Sequence, residues 1–278
     1  SGTLNTIIGG LAGSALTTAA NNVAIGYAAL SSEVAGPDNV AIGYFAMGST
    51  DNARANVAIG YAALQNLDYD SLTYSHNIGI GFNVGNNITT GTLNTLIGGL
   101  AGDALTTGSN NVASGYNSLG NTTVGSDNIA IGATTLESNA NGSASIAIGS
   151  KALQDQAPSG TGNVYNIAIG HFAGKEITTG TRNTIIGGLA GDALTTGNQS
   201  TFVGYQAGGA TTDQSFNTAI GDSALSTNVN GARNVAIGNS ALSAMNPSSD
   251  ADTYNVAIGY DAGLSVSTGT TNTLIGAL

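Results

Sequence analysis

Two pairs of carboxylates at Asp-x-Asp spacing, Asp68 with Asp70 and Asp250 with Asp252, are the side chains of this sequence best suited to ligand chemistry. Oxygen donors two residues apart on an extended chain can share a Ca²⁺ ion. The corresponding stretch around Asp155 offers only one Asp. The glycine-rich nonapeptide of calcium-binding repeats does not occur. These four residues are therefore only weak calcium candidates, and no metal is expected. His76 and His171 stand far apart, without ligand spacing, and read as surface residues. Cysteine is absent, which excludes disulfides, thiolate zinc and a thiol nucleophile. No Ser-His-Asp set, paired buried carboxylates or phosphate-binding loop stands out. Neither a cofactor nor an enzymatic activity is expected.

The net charge is −11, from 16 acids scattered singly against 5 bases. A thin acidic surface disfavours nucleic acid and anionic membrane. No apolar run is long enough to cross a bilayer as a helix. The six tyrosines Tyr27, Tyr44, Tyr61, Tyr116, Tyr205 and Tyr260 share one local context, each following a glycine. Aromatic rows can bind glycans, but packing is the favoured reading.

What must position these groups is a repeat. The phrase Asn, two apolar residues, Ile, Gly recurs, ending on sixteen glycines from Gly9 to Gly276. The spacing is 17 residues, except for three steps of 21 that end at Gly81, Gly170 and Gly259. A superperiod of 89 residues results. The chain reads as one repetitive domain, 1–278, made of superunits at about 1–89, 90–178 and 179–267 plus a partial fourth at 268–278. It begins in mid-pattern and neither end has an atypical capping sequence. The expectation is that the array continues or that its ends stack on other chains.

Each unit reads as strand, bend, strand, turn. The β-branched run Val-Ala-Ile is a strand signal. Fixing seventeen residues costs roughly 1–2 kcal/mol each in backbone entropy, far more than one coil's few aliphatic side chains return. Only stacking makes the coil stable, so the fold class is all-β: a parallel β-solenoid of about sixteen 17-residue coils. Alternation divides the strand into two faces. The Ile before each glycine, such as Ile25, Ile42 and Ile59, is expected to line the interior with the residue two earlier. The residue between, Ala in ten of sixteen copies, would face outward. It is never polar, so the strand is apolar on both sides and its outer face needs cover. A three-fold bundle of chains meets that need. Asn22, Asn39 and Asn56 would form a corner ladder, and Gly26, Gly43 and Gly60 the bend.

The four extra residues of each long step are expected to bulge as loops around 67–75, 156–164 and 246–253. Loops on a rigid scaffold are the usual place for binding. The candidates for ligand contact are Asp68, Tyr69, Asp70, Tyr74, Pro158, Tyr165, Asp250, Asp252 and Tyr254. Threonine pairs such as Thr17-Thr18 hint at ice binding, but most coils lack them.

The stretches Ser145-Ile146-Ala147-Ile148-Gly149-Ser150-Lys151-Ala152 and Asn128-Ile129-Ala130-Ile131-Gly132 resemble the head repeats of YadA-like trimeric autotransporter adhesins. They are also similar to repeats in phage tail fibres and other bacterial trimeric fibres. The resemblance covers nearly the whole chain, although the family's usual unit is shorter. It implies a left-handed β-roll, homotrimeric around a shared core, displayed on a cell surface or virion. The function it implies is that of an extracellular fibre or adhesin segment meeting a glycan or protein ligand. A self-assembling filament that stacks head to tail is the alternative. The partners implied are other copies of the chain, with no nucleic acid and no membrane contact by this segment.

Overall fold

The computed structural model describes residues 2–277. All their regular structure is β, with no helix. The chain forms two compact units, Ser1–Asn141 and Gly142–Leu278. Their border falls inside the second superunit, so the compact units are not the sequence superunits. Coils of a solenoid contact only their neighbours, and no superunit has a core of its own.

In the first unit, eight three-residue strands pair side by side and parallel: Thr6–Ile8, Val23–Ile25, Val40–Ile42, Val57–Ile59, Ile78–Ile80, Thr95–Ile97, Val112–Ser114 and Ile129–Ile131. The second unit repeats this with Ile146–Ile148, Ile167–Ile169, Thr184–Ile186, Thr201–Val203, Thr218–Ile220, Val235–Ile237, Val256–Ile258 and Thr273–Ile275. Equivalent residues lie over one another: Val23 on Val40, Ala24 on Ala41, Ile25 on Ile42. Each strand is one turn of a parallel β-solenoid.

The expected second strand forms only where a coil lies beneath one of the long steps, at Asp51–Arg54, Gly142–Ser143 and Gly231–Ala232, and not in the other 17-residue coils. The residues after the glycine take alternately left-handed backbone angles, as at Ala28 (φ 52°) and Leu30 (φ 52°), or Phe45 (φ 54°) and Met47 (φ 49°). This wall still bonds to both neighbours. Ala28 N–H donates to Gly10 O (2.9 Å), and Leu30 N–H to Ala46 O (3.0 Å). Forty described non-glycine residues have positive φ, whereas a few per cent is ordinary. The inter-coil bonds are what hold this backbone in place.

The two faces of the strand are the reverse of the sequence expectation. Ala24, Ala41 and Ala58 are fully buried, whereas Ile25, Ile42 and Ile59 are only half-buried. The reason is parity. The Asn four before the glycine and the Ala two before it lie on one face, and the Asn must turn inward to meet its partners. Asn39 N–H donates to Asn22 Oδ1 (2.8 Å), and Asn56 N–H to Asn39 Oδ1 (3.0 Å). Asn39 Nδ2 reaches across the corner to Ala53 O (2.8 Å). Ala follows the Asn inside, and the β-branched pair is left outside.

The interior is thin. Across from Ala24, Ala41 and Ala58 sit Ala29 with Leu30, Ala46 with Met47, and Ala63 with Leu64, all fully buried. Where the strand carries a large residue, the opposite wall carries glycine: Ile7 with Gly13, Leu96 with Gly102, Ile185 with Gly191, Phe202 with Gly208. A Cβ at Gly208 would meet the Phe202 ring at 2.7 Å. The Gly-Leu-Ala-Gly form is thus a size swap across the core. The bend glycine meets a stricter demand: Gly26 has φ 127°, and a Cβ there would lie 2.6 Å from Gly43 O.

Candidate functional site

The long steps do not all form loops. Residues Asp68–Tyr74 make a strand that pairs parallel with Asp51–Arg54, and the register shifts between Asp51 and Ala53 to absorb the extra residues. Shorter pairings hold the other two: Gly142–Ser143 with Gly162–Asn163, and Gly231–Ala232 with Ala251–Asp252. Each insertion stacks on the coil beneath it. Each insertion therefore gives its candidate residues a local setting of its own.

In the first insertion, Asp68 and Asp70 are exposed on one face of the strand, and Tyr69 between them turns inward. Tyr69 was expected among the ligand-presenting residues; instead it is buried, because alternation along a strand leaves it no outward course. Its hydroxyl donates to Gly91 O (2.8 Å) and accepts from Asn77 Nδ2 (3.4 Å). Burial raises its pKa above the usual phenol value. Tyr74 is exposed; Arg54 lies 3.5 Å from its ring centroid, and His76 stacks with it at 5.5 Å. Arg54 also faces Asp38 at 3.7 Å.

The second insertion holds two of the candidates. Pro158 is half-buried, and Tyr165 is exposed with its hydroxyl accepting from Asn163 Nδ2 (2.7 Å). In the third, Asp250 is exposed, while Asp252 is held by Arg233 (3.0 Å) and accepts from the Tyr254 hydroxyl (3.2 Å). Arg233 also lies 4.5 Å from the Phe216 ring. The Asp252 carboxylate is thereby engaged by protein groups. No group of three or more His, Cys, Asp or Glu suited to a metal ion occurs among the described residues. His171 sits edge-on to Phe172 at 4.1 Å.

Three polar residues escaped the sequence reading. Arg54 and Arg233 pin the first and third insertions. Glu33 is buried seven residues after a glycine, where Leu67 stands in another coil. Its Oε1 accepts from Ala35 (3.1 Å) and Gly36 (2.6 Å) N–H, and its Oε2 from Ala53 N–H (3.2 Å). The signal was the repeat itself, which marks that position as interior.

Two surfaces stand out. The first is the outward aliphatic row within each unit. Ile97, Ile131, Ile169, Ile186, Ile220 and Ile258 remain 36–42% exposed, with Ser114 interrupting the row between Ile97 and Ile131. The second is aromatic. Tyr27, Tyr44, Tyr61 and Phe82 stack in sequence, with centroids 5.4, 5.2 and 5.2 Å apart and interplanar angles of 17°, 4° and 18°. Ring faces meet ring faces, and the edges are what solvent reaches. Neither surface carries a nucleophile and base in mutual reach.

Fold and surfaces together define a parallel β-solenoid repeat protein whose uncovered features are apolar rows. No protein-family model and no curated protein matches the chain.

Proposed function

We propose that this chain is a structural fibre segment that associates laterally, three copies meeting along their outward Val-x-Ile rows. The observation that carries the reading is the row of part-exposed Ile on the outer face of strands whose inner face is apolar as well. Fully burying an Ile is worth about 1.5–3 kcal/mol. Covering the remaining third or so of each adds about 0.5–1 kcal/mol. Each unit carries seven Ile in the row before the glycine, which gives about 4–7 kcal/mol per copy for that row alone. The Val, Ile and Thr two residues earlier add to it. This is the scale of the cost of association, about 4–15 kcal/mol.

The resemblance to trimeric adhesin heads and fibre repeats supports a left-handed β-roll trimer displayed outside a cell or on a virion. The coils then serve as a stiff spacer, and the insertions as the surface that meets a glycan or protein partner. The role is structural, with no catalysis assigned. The acidic surface keeps such a segment soluble and away from nucleic acid and anionic lipid. The test is solution mass by light scattering or sedimentation. A trimer is expected, and a stable monomer at micromolar concentration refutes the reading.

A further inference from the structure

The stacked tyrosines are a modification site: we propose that Tyr44 couples oxidatively to Tyr61 or Tyr27 within one chain, fastening adjacent coils through a dityrosine bond. The three phenols form a closed set. Below Tyr27 the equivalent residue is Gly10, with no side chain, and above Tyr61 it is Phe82, which stacks but has no hydroxyl. The Tyr44–Tyr61 pair lies nearly parallel, at 4° and 5.2 Å, and Tyr27–Tyr44 at 17° and 5.4 Å. All three rings are about half exposed, so a small oxidant reaches them. Stacking in register holds the Tyr44 ring face to face with the rings on both sides of it.

The co-reactant is a one-electron oxidant, such as a haem peroxidase working with hydrogen peroxide. Each phenol loses one electron and its hydroxyl proton, giving two phenoxyl radicals. A carbon–carbon bond forms between carbons ortho to the two hydroxyls. Each of those carbons then gives up its hydrogen as a proton, which restores both hydroxyls. In total two electrons and two protons leave, and they reduce one hydrogen peroxide to two waters.

Tyr116, Tyr205 and Tyr260 have no aromatic residue at the equivalent place in adjoining coils: Gly99 and Ala133 flank Tyr116, Gly188 and Asp222 flank Tyr205, and Asn239 and Ala277 flank Tyr260. They are internal controls. The experiment treats the full chain with a haem peroxidase and hydrogen peroxide. It reads dityrosine fluorescence in the single-chain band of a denaturing gel, and maps linked peptides by mass. The expected product is one chain lacking two hydrogens, with Tyr44 joined to Tyr61 or Tyr27. Tyr44→Phe keeps the stack but removes the shared phenol. It should lower the single-chain yield at least fivefold, with an unchanged circular dichroism spectrum. The triple variant Tyr116→Phe, Tyr205→Phe, Tyr260→Phe should leave the yield unchanged. The proposal is overturned if Tyr44→Phe reacts as well as the parent chain, if the links map to the three isolated tyrosines or between chains, or if no dityrosine forms.

Discussion

Removing one rung of the asparagine ladder should cost far more than the loss of a small polar side chain normally does. Asn94 is fully buried. Its Nδ2 donates to Gly108 O (3.0 Å) and Asn77 Oδ1 (3.1 Å), and its Oδ1 accepts from the Asn111 N–H (3.0 Å) and Nδ2 (3.1 Å). Asn94→Ala leaves two backbone groups, Gly108 O and Asn111 N–H, without these bonds inside the coil. A buried unsatisfied group costs about 1–3 kcal/mol, so with two such groups the variant should lose about 2–6 kcal/mol. Asn94→Ser should fall between. At the equivalent place, Ser200 Oγ accepts from Asn217 N–H at a longer 3.3 Å, and a serine cannot reproduce the bond across the corner. Denaturant unfolding gives the total. Hydrogen exchange at the Asn111 amide locates it, since coils of a solenoid open locally. A loss below about 0.5 kcal/mol for Asn94→Ala, within the range of a surface substitution, would show that the ladder is not what fixes the corner.

Three further outcomes follow from the same geometry. Phe202→Ala should cost about 3–5 kcal/mol by opening a cavity, and adding Gly208→Leu should recover much of it, because Leu64 and Leu225 already occupy that backbone position at φ 47° and 55° opposite alanines; a double variant no more stable than Phe202→Ala refutes the size-swap account. Burial raises the carboxyl pKa of Asp103 and Asp192, with Glu176 adding to the shift at Asp192. The folded chain therefore holds those protons more tightly than the unfolded one, and stability should rise as pH falls through the raised values toward the ordinary carboxylate range. Asp103→Asn with Asp192→Asn should stabilise the protein at neutral pH and flatten that rise in thermal melts, whereas a loss of stability at neutral pH contradicts it. Finally, Ile42→Lys with Ile59→Lys should reduce the solution mass toward a monomer while leaving the β spectrum intact, because these side chains point away from the core; unfolding instead would return them to the interior.

Much of this architecture was legible in the sequence because a repeat states its own geometry. The 17-residue spacing, the three long steps and the parallel stacking were all readable from the recurrence of Asn and Gly. The orientation of the strand was misread for a specific reason. Val-Ala-Ile is apolar on both faces, and larger side chains are usually the buried ones. In a coil this narrow, one wall admits Ala where the other supplies Leu30 or Met47. The buried Asn, two residues before the Ala, carried the deciding parity. The left-handed second wall was harder to foresee. Leu, Met and Phe disfavour positive φ, and only stacked neighbours make it tenable there. Tyr69 shows the same limit at the candidate loops: an insertion that pairs as a strand hides every second residue.

The bonding between coils also bears on electrostatics. Val23 N–H donates to Asn39 O on one side, whereas Gly26 N–H donates to Ile8 O on the other, and Ala28 and Leu30 repeat the opposition. Peptide dipoles along each stack thus largely cancel, unlike those of an α-helix, which sum. Lengthening such a stack builds up no axial polarity. Evolution can multiply the 89-residue cassette without having to neutralise a growing field.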